Sequence, residues 1–488
     1  MSRAENKSSM HKKTGTRRHI RMIGVAVGAA MLLQTVAFAG CGSAQEDEIV
    51  LRVANWEEYM DEGDWDEEDA IEFSDGTVLC PESSMVEDFE AWYYETYGKR
   101  VRVEYATFGT NEELYNQITI GDVYDLVCPS EYMIMKMMTE GMLEPYSEDF
   151  YNADIPENYY VRGVSPYIAG VYDTLSINGE KLNTYAAGYM WGTLGIVYNP
   201  EEVTEEEAST WKLLLNEQYA KQITIKDSVR DAYFAGVSIY QYDDITAEAF
   251  VQSDAYGDQM YEKLNATDAE TVDAVEDILS AIKRNVYSFE TDSGKADMVT
   301  GKVVANQQWS GDAVYTIDQA EEDGVELCYS TPEESTNLWF DGWVMLKDGI
   351  AEAPEKKHAA EAFVNFLSMP ENAVRNMMYI GYTSVIAGGD SEKVLDYVNW
   401  CYEADPEETD EEDMVEYDIC YFFDNEDAVI VTSEDQTRRQ LFAQYPPAEV
   451  MDRSVIMAYF DAEGNERINR MWTNVRCFDL KSWWEGFN

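Results

Sequence analysis

The order of the first regular segments constrains this chain most. Residues 49–55 are a compact apolar run of strand length. Ser84 and Glu87 then form a capping box ahead of Val86, Phe89, Trp92, Tyr93 and Tyr97. The three- and four-residue steps of those apolar positions predict a helix, and Gly98 stops it. Residues 101–105 alternate apolar and polar as a half-buried strand does. A short helix is expected near 112–120 and another strand at 124–128. Strand, helix, strand, helix, strand builds a mainly parallel sheet, because parallel neighbours need a crossover between them.

A second α/β block follows, with a strand over 222–225 and a helix over 268–283. The chain is expected to cross between two blocks twice. One crossing lies near 189–195, where Trp191-Gly192 precedes an apolar strand, and the other at Asp341-Gly342, before residues 343–346. Residues 359–367 read as an amphipathic helix. The acidic runs at 61–69 and 404–413 read as surface loops that cannot join a core.

Residues 1–40 read as a targeting segment. Lys12, Lys13, Arg17, Arg18 and Arg21 precede residues 22–39, which carry no charge, and this is the layout of a secretory signal. The stretch is also about long enough to span a bilayer, so an uncleaved anchor is a competing reading. Phe38-Ala39-Gly40-Cys41 resembles the lipobox of bacterial lipoproteins, in which the cysteine is acylated. That resemblance implies an acylated Cys41, a short tether over 41–48, and a position on the outer face of the cytoplasmic membrane or in the periplasm.

Removing residues 1–40 takes away seven basic residues and one acidic one, leaving 28 Lys+Arg against 94 Asp+Glu and a formal charge of −66. A field of that sign repels nucleic acid and favours cations, although most such carboxylates serve only to solvate a surface. Six cysteines follow Cys41 with no CxxC pair, so a zinc site is not expected, and disulfide pairing stays open. His358 is the one histidine beyond the leader, which leaves little from which to build a Ser-His-Asp, Cys-His or His-rich metal site. No catalytic residue, metal or cofactor is expected.

In open parallel sheets, ligands sit outside the carboxyl ends of the strands. Trp56, Glu57, Glu58 and Tyr59 follow the first strand directly, and Ser130 and Tyr132 follow another. Asp231 follows a strand of the second block, while Trp309 with Asp312 and Trp339 with Asp341 repeat the pairing of an indole with an acid. An alkylammonium ion entering a cleft needs a carboxylate to replace its water and an apolar wall for its methylenes. Indole faces supply that wall and attract the cation by roughly 0.5–2 kcal/mol per contact. With 12 Trp and 34 Tyr in the chain, however, aromatic–acid neighbours also arise by chance.

The runs VANWEEY, YDLVCPSEYMIMKMMTEGML, WSGDA and WFDGWVML resemble the spermidine/putrescine-binding proteins of ABC-type importers. The similarity runs from about residue 50 to 385 and continues weakly to about 460. It implies a two-lobed periplasmic-binding-protein fold of type II, each lobe a mainly parallel sheet flanked by helices and joined to the other by a hinge. The expected division is 49–191 with 342–390 for the first lobe and 192–341 with 391–488 for the second.

Carried over by position, the resemblance assigns Trp56, Glu58, Tyr59, Ser130, Tyr132, Asp231, Trp309, Asp312, Trp339, Asp341 and Tyr382 to ligand contacts, with Glu57 beside them. Asp312 matches an acid of putrescine-type members. Ser228 stands where spermidine-type members carry an additional acid, and Met457 falls near one of their polar contacts. The implied protein is a monomeric, lipid-anchored receptor, not an enzyme, that hands a polyamine to a membrane permease. The rival readings are an extracellular glycoside-acting enzyme, a binder of a non-amine solute such as ferric ion on the same fold, and an adhesion or sensor protein.

Overall fold

The computed structural model describes residues 48–477, apart from 352 and 408; the leader and Cys41 lie outside them. β1 (Ile49–Trp56) runs parallel to β2 (Val101–Phe108) on one side and β3 (Leu126–Val127) on the other. The crossovers contain α1 (Met85–Tyr97) and α2 (Asn111–Ile120), and α3 (Glu131–Thr139) leaves β3. The capping box at Ser84 and Glu87 is formed, and α1 ends at Gly98 with φ 66°, a left-handed conformation that glycine adopts without a Cβ penalty.

The long strand β4 (Ala186–Tyr198) leads into the second block. There β5 (Ile223–Lys226) lies parallel to both β6 (Ser288–Glu290) and β7 (Ala305–Trp309). α4 (Val229–Ile245) and α5 (Ala269–Asn285) lie between β5 and β6, α6 (Ser310–Glu322) leaves β7, and β8 (Thr336–Leu346) returns the chain to the first block. The main sheet path is β6-β5-β7-β4-β8-β3-β1-β2.

β4 and β8 pair antiparallel and are the two crossings. With 13 and 11 residues they exceed a common strand by about a factor of two, and every residue of both is buried. One half of each strand belongs to the β5–β7 side and the other to the β1–β3 side, so the pair is the hinge of a two-lobed fold. The register shifts between Asp341 and Gly342, at the expected crossing.

Apolar side chains gather in two cores. The first includes Leu51, Val53, Phe89, Ile134, Phe363 of α7 (Pro354–Leu367) and Met377 of α8 (Pro370–Ile380). The second includes Ile223, Ile225, Phe234, Leu279 and Met471. Val394 and Tyr397 of α9 (Lys393–Tyr402), together with Tyr417, Phe422, Leu441 and Met451, join the first core. Only from Val455 on, including Ile468 of α11 below, does the tail join the second.

The first core also takes in Ala313, Val314, Ile317 and Ala320 of α6, so it does not by itself divide the lobes, and hydrogen bonds tie residues 394–451 to both sides. Ser165 Oγ donates to the Phe422 carbonyl at 2.6 Å and Thr383 Oγ1 to that of Gln444 at 3.0 Å, both on the first side. Gln440, in α10 (Gln440–Gln444), reaches Asp318 of α6 at 2.8 Å, so this segment also touches the second side. α11 (Ala462–Cys477) then closes the second core.

The acidic run 61–69 needs a correction. Asp61 is buried and accepts from Arg375 Nε at 2.5 Å and from Trp65 Nε1 at 2.6 Å. A buried guanidinium from α8 makes the carboxylate tolerable there, whereas most of the run stays at the surface. The six cysteines at 80, 128, 328, 401, 420 and 477 are free thiols.

Candidate functional site

The carboxyl end of β1 is fixed before it presents any side chain to the hinge strand β8. Asn55, fully buried, donates through Nδ2 to the Tyr59 carbonyl at 3.1 Å, and the Tyr189 hydroxyl donates to the same oxygen at 2.8 Å. The turn this forms aims the Tyr59 ring inward, and its hydroxyl donates to Asp341 Oδ2 at 2.8 Å. Ser130, capping α3, donates through Oγ to Asp341 Oδ1 at 2.7 Å. Asn111 sets Ser130 in turn: its Oδ1 accepts from the Ser130 backbone N–H at 3.0 Å and its Nδ2 donates to Ser130 Oγ at 3.0 Å.

Asp341 sits at the register shift of β8 and is 5% exposed. Burial pushes its carboxyl up to about 6, against the two hydroxyl donors that pull it down. Among the described residues, no Lys or Arg is ion-paired with it. Trp339 lies two residues earlier on the same strand face. Its ring is edge-on to Tyr382 at 5.4 Å, and Tyr382 is edge-on to Tyr59 at 5.5 Å. Opposite Trp339 in the sheet stands Gly192, where a Cβ would lie 2.6 Å from the indole, so only glycine gives the ring this place. The Nε1 atoms of Trp339 and Trp56 are buried without an acceptor among the described residues.

The second side is built on β5, β7 and the starts of two helices. Asp231, in the first turn of α4, is buried and accepts from Trp309 Nε1 at 3.2 Å. Burial raises its pKa, opposed by hydrogen bonds from Ser228 and Trp309 and then by Lys226 and Arg230. Asp312, in the first turn of α6, is engaged otherwise. Lys226 Nζ donates to its Oδ2 at 3.0 Å, the Tyr382 hydroxyl to its Oδ1 at 3.1 Å, and Lys295 Nζ lies 3.7 Å away. The two lysines and Tyr382 more than offset burial, and its pKa is lowered.

The expected residues therefore divide. Tyr59, Ser130, Trp339, Asp341 and Tyr382 form one connected group, which Tyr382 links to Asp312. Asp231 and Trp309 form a second group beside it. Tyr132 lies against the face of Arg230, whose guanidinium carbon is 4.2 Å from the ring centre. Glu57 and Glu58 are exposed on the turn after β1, and Met457 is buried in the second core.

Lys226, Arg230 and Glu131 were not expected in the site. Glu131 is buried and is pushed up to about 8 by desolvation, opposed by Arg230. Its Oε2 accepts from the Phe340 backbone N–H at 3.2 Å. A lysine closing the apolar strand ITIK was the available signal for Lys226.

Residues 84–397 match the family model described as bacterial extracellular solute-binding protein. The chain belongs to that family. This solute-binding protein is 25% identical over 288 residues to the spermidine/putrescine-binding periplasmic protein of Salmonella typhimurium, covering 58% of this chain and 70% of that one. It is 24% identical over 357 residues to a putrescine-binding periplasmic protein of Escherichia coli, covering 71% and 79%. The crystal structure of a spermidine/putrescine ABC transporter substrate-binding protein from Streptococcus pneumoniae superposes with a TM-score of 0.56 at 23% identity, over 88% of this chain and 98% of that one. These relatives are binding proteins and not enzymes, and the likeness of structure confirms the two-lobed fold.

Proposed function

We propose that the chain is a lipid-anchored extracellular receptor that captures a polyamine, putrescine or spermidine, and delivers it to an ABC-type importer. The observation that carries this reading is Asp341, a buried hinge carboxylate held by two hydroxyls and walled by Trp339, Tyr59 and Tyr382. A carboxylate taken out of water with only neutral donors gains a charge-assisted bond when an ammonium ion arrives. The methylene chain of the same ligand then lies against indole and phenol faces. Asp231, beside Trp309, offers a second place of the same kind.

The names of the relatives, for spermidine and putrescine, support the ligand class. Contacts drawn from both lobes would favour the closed form, the usual working principle of a hinged receptor. In this reading residues 49–191 and 342–451 form the first lobe, 192–341 and 452–477 form the second, and the receptor works as a monomer. Its anchor is an acylated Cys41; no helix among the described residues is long and apolar enough to cross a membrane.

A thermal-shift screen of the mature protein tests the reading, with putrescine, spermidine, spermine, cadaverine, amino acids and sugars as ligands. Stabilisation by one or more of the polyamines alone is expected. Stabilisation by a sugar or an amino acid and by no amine would refute the ligand class.

A further inference from the structure

Lys226 ends a strand whose four residues are all buried, and its side chain is 1% exposed. Its Nζ donates to Asp312 Oδ2 at 3.0 Å and to the Thr291 carbonyl at 2.9 Å, and lies 3.9 Å from Glu290 Oε1. The same nitrogen stands 4.5 Å from the centre of the Trp309 ring. A carboxylate, a carbonyl and an indole face gathered around one ammonium group are the contacts such a cleft offers an alkylammonium ligand. Here the protein supplies the ammonium itself.

The lysine is the last residue of the buried strand β5. Withdrawing it would leave Glu290 buried with only the neutral donors Gly294 N–H and Asn306 Nδ2, and Asp312 Oδ2 without its ammonium, a costly change. Asp341 and Asp231 differ from Asp312 in this respect. Their hydrogen bonds come from neutral groups, Tyr59 and Ser130 for the first and Trp309 for the second. Arg230 acts on Asp231 through space, but its guanidinium faces Tyr132 and Phe460 and donates to the Ala458 carbonyl at 2.5 Å. Among the described residues, Asp341, Asp231 and Glu131 are thus buried site carboxylates with no bonded cation, whereas Asp312 has its cation built in.

We propose that Lys226 is a specificity-determining residue whose ammonium group stands in for a third ligand cation at Asp312, so that the cleft takes a diamine and turns away a triamine. This rests on the amine-receptor reading above and narrows it. A third ammonium group would meet the lysine's positive charge where a carboxylate is needed, and such a repulsive element separates two ligands that share most of their attractive contacts. The basis for preferring a diamine is then the reverse of the one the sequence suggested, since Asp312 serves by being occupied.

Calorimetric titration of the mature protein with putrescine and spermidine tests the proposal, using the wild type and Lys226→Met. The wild type should bind putrescine at least tenfold more tightly. Lys226→Met, which keeps the unbranched stem one atom shorter and drops its charge, should move the ratio at least tenfold toward spermidine. Should that variant not fold alone, Lys226→Met with Glu290→Gln removes the other buried carboxylate beside the lysine and frees Asp312 Oδ2 for the ligand, with Lys295 still 3.7 Å from Oδ1. Its melting temperature should then rise more with spermidine than with putrescine. A ratio within threefold of wild type in the variants, or equal binding of both amines by the wild type, overturns the role of Lys226 and leaves the receptor reading standing. Binding of neither amine by the wild type overturns both.

Discussion

The ring of Tyr382 lies directly over the α-carbon of Gly311: a methyl group on that glycine would come within 2.2 Å of the ring. Tyr382 follows α8 on the first side of the molecule, and Gly311 lies in the first turn of α6 on the second. The contact allows the Tyr382 hydroxyl to reach Asp312 while its ring meets Trp339 and Tyr59. Gly311→Ala should therefore wedge the two sides apart. Amine affinity should fall by about tenfold or more, the order expected when overpacking costs 1–3 kcal/mol. Small-angle scattering with saturating ligand should show a less compact particle than wild type. Unchanged affinity would mean that Tyr382 moves aside without cost.

Asp341 makes opposite predictions for stability and for binding. Its folded-state pKa, about 6, lies above the ordinary aspartate value of 3.8 because burial penalises the charge. The folded form therefore holds its proton over a range where the unfolded chain has lost it. The stability this contributes is complete below about pH 4 and is lost as pH rises through 6, on the order of 3 kcal/mol over two pKa units. Asp341→Asn should raise the melting temperature of the ligand-free protein at pH 7.5. A lower melting temperature would show that the carboxylate is held by more than Tyr59 and Ser130.

The same titration acts on the ligand. Only the ionised carboxylate pairs with ammonium, so amine affinity should be full above about pH 7 and decline as pH falls through 6. At pH 5 it should be about tenfold weaker than at pH 7.5, one decade per pH unit below the pKa. Calorimetry across that range checks it, and a flat profile would exclude Asp341 as the pairing group.

Arg375 and Asp61 are a structural pair. Arg375 Nε meets Asp61 Oδ1 at 2.5 Å and Nη1 meets Asp88 Oδ2 at 2.6 Å, with both Arg375 and Asp61 buried. Arg375→Met leaves the Asp61 charge buried and should cost about 3–5 kcal/mol of stability, measured by denaturant unfolding. Replacing the exposed Asp66 by Asn should change stability by less than about 0.5 kcal/mol.

The leader gives a cellular prediction. Cys41→Ala should abolish lipid labelling and release the protein from the membrane fraction or leave its leader uncut. Normal labelling and retention would remove Cys41 as the anchor.

What was legible in the sequence was local. The α1 capping box and its glycine stop lie within fifteen residues of one another, and both formed as read. The hinge was legible because Trp191-Gly192 and Asp341-Gly342 mark places where long strands need close approach or a register shift. What could not be read depends on residues far apart in the chain. Lys226 and Asp312 are 86 positions apart, and Asp61 and Arg375 are 314 apart. Neither a lysine ending an apolar strand nor an aspartate in an acidic run declares its partner. The placement of 394–451 against the first core was hidden similarly, since its buried residues, Tyr397, Phe422 and Leu441 among them, would suit either side.

The central claim is that the Asp341 carboxylate receives an ammonium group of the ligand. Titrating the mature protein with putrescine at pH 7.5, beside Asp341→Asn, tests it most directly. The account predicts one-site binding in the wild type and a loss of about ten- to a hundredfold in the variant, the value of one charge-assisted bond at roughly 1.5–3 kcal/mol. Equal affinity in the two proteins, or no binding of putrescine by the wild type, would contradict it.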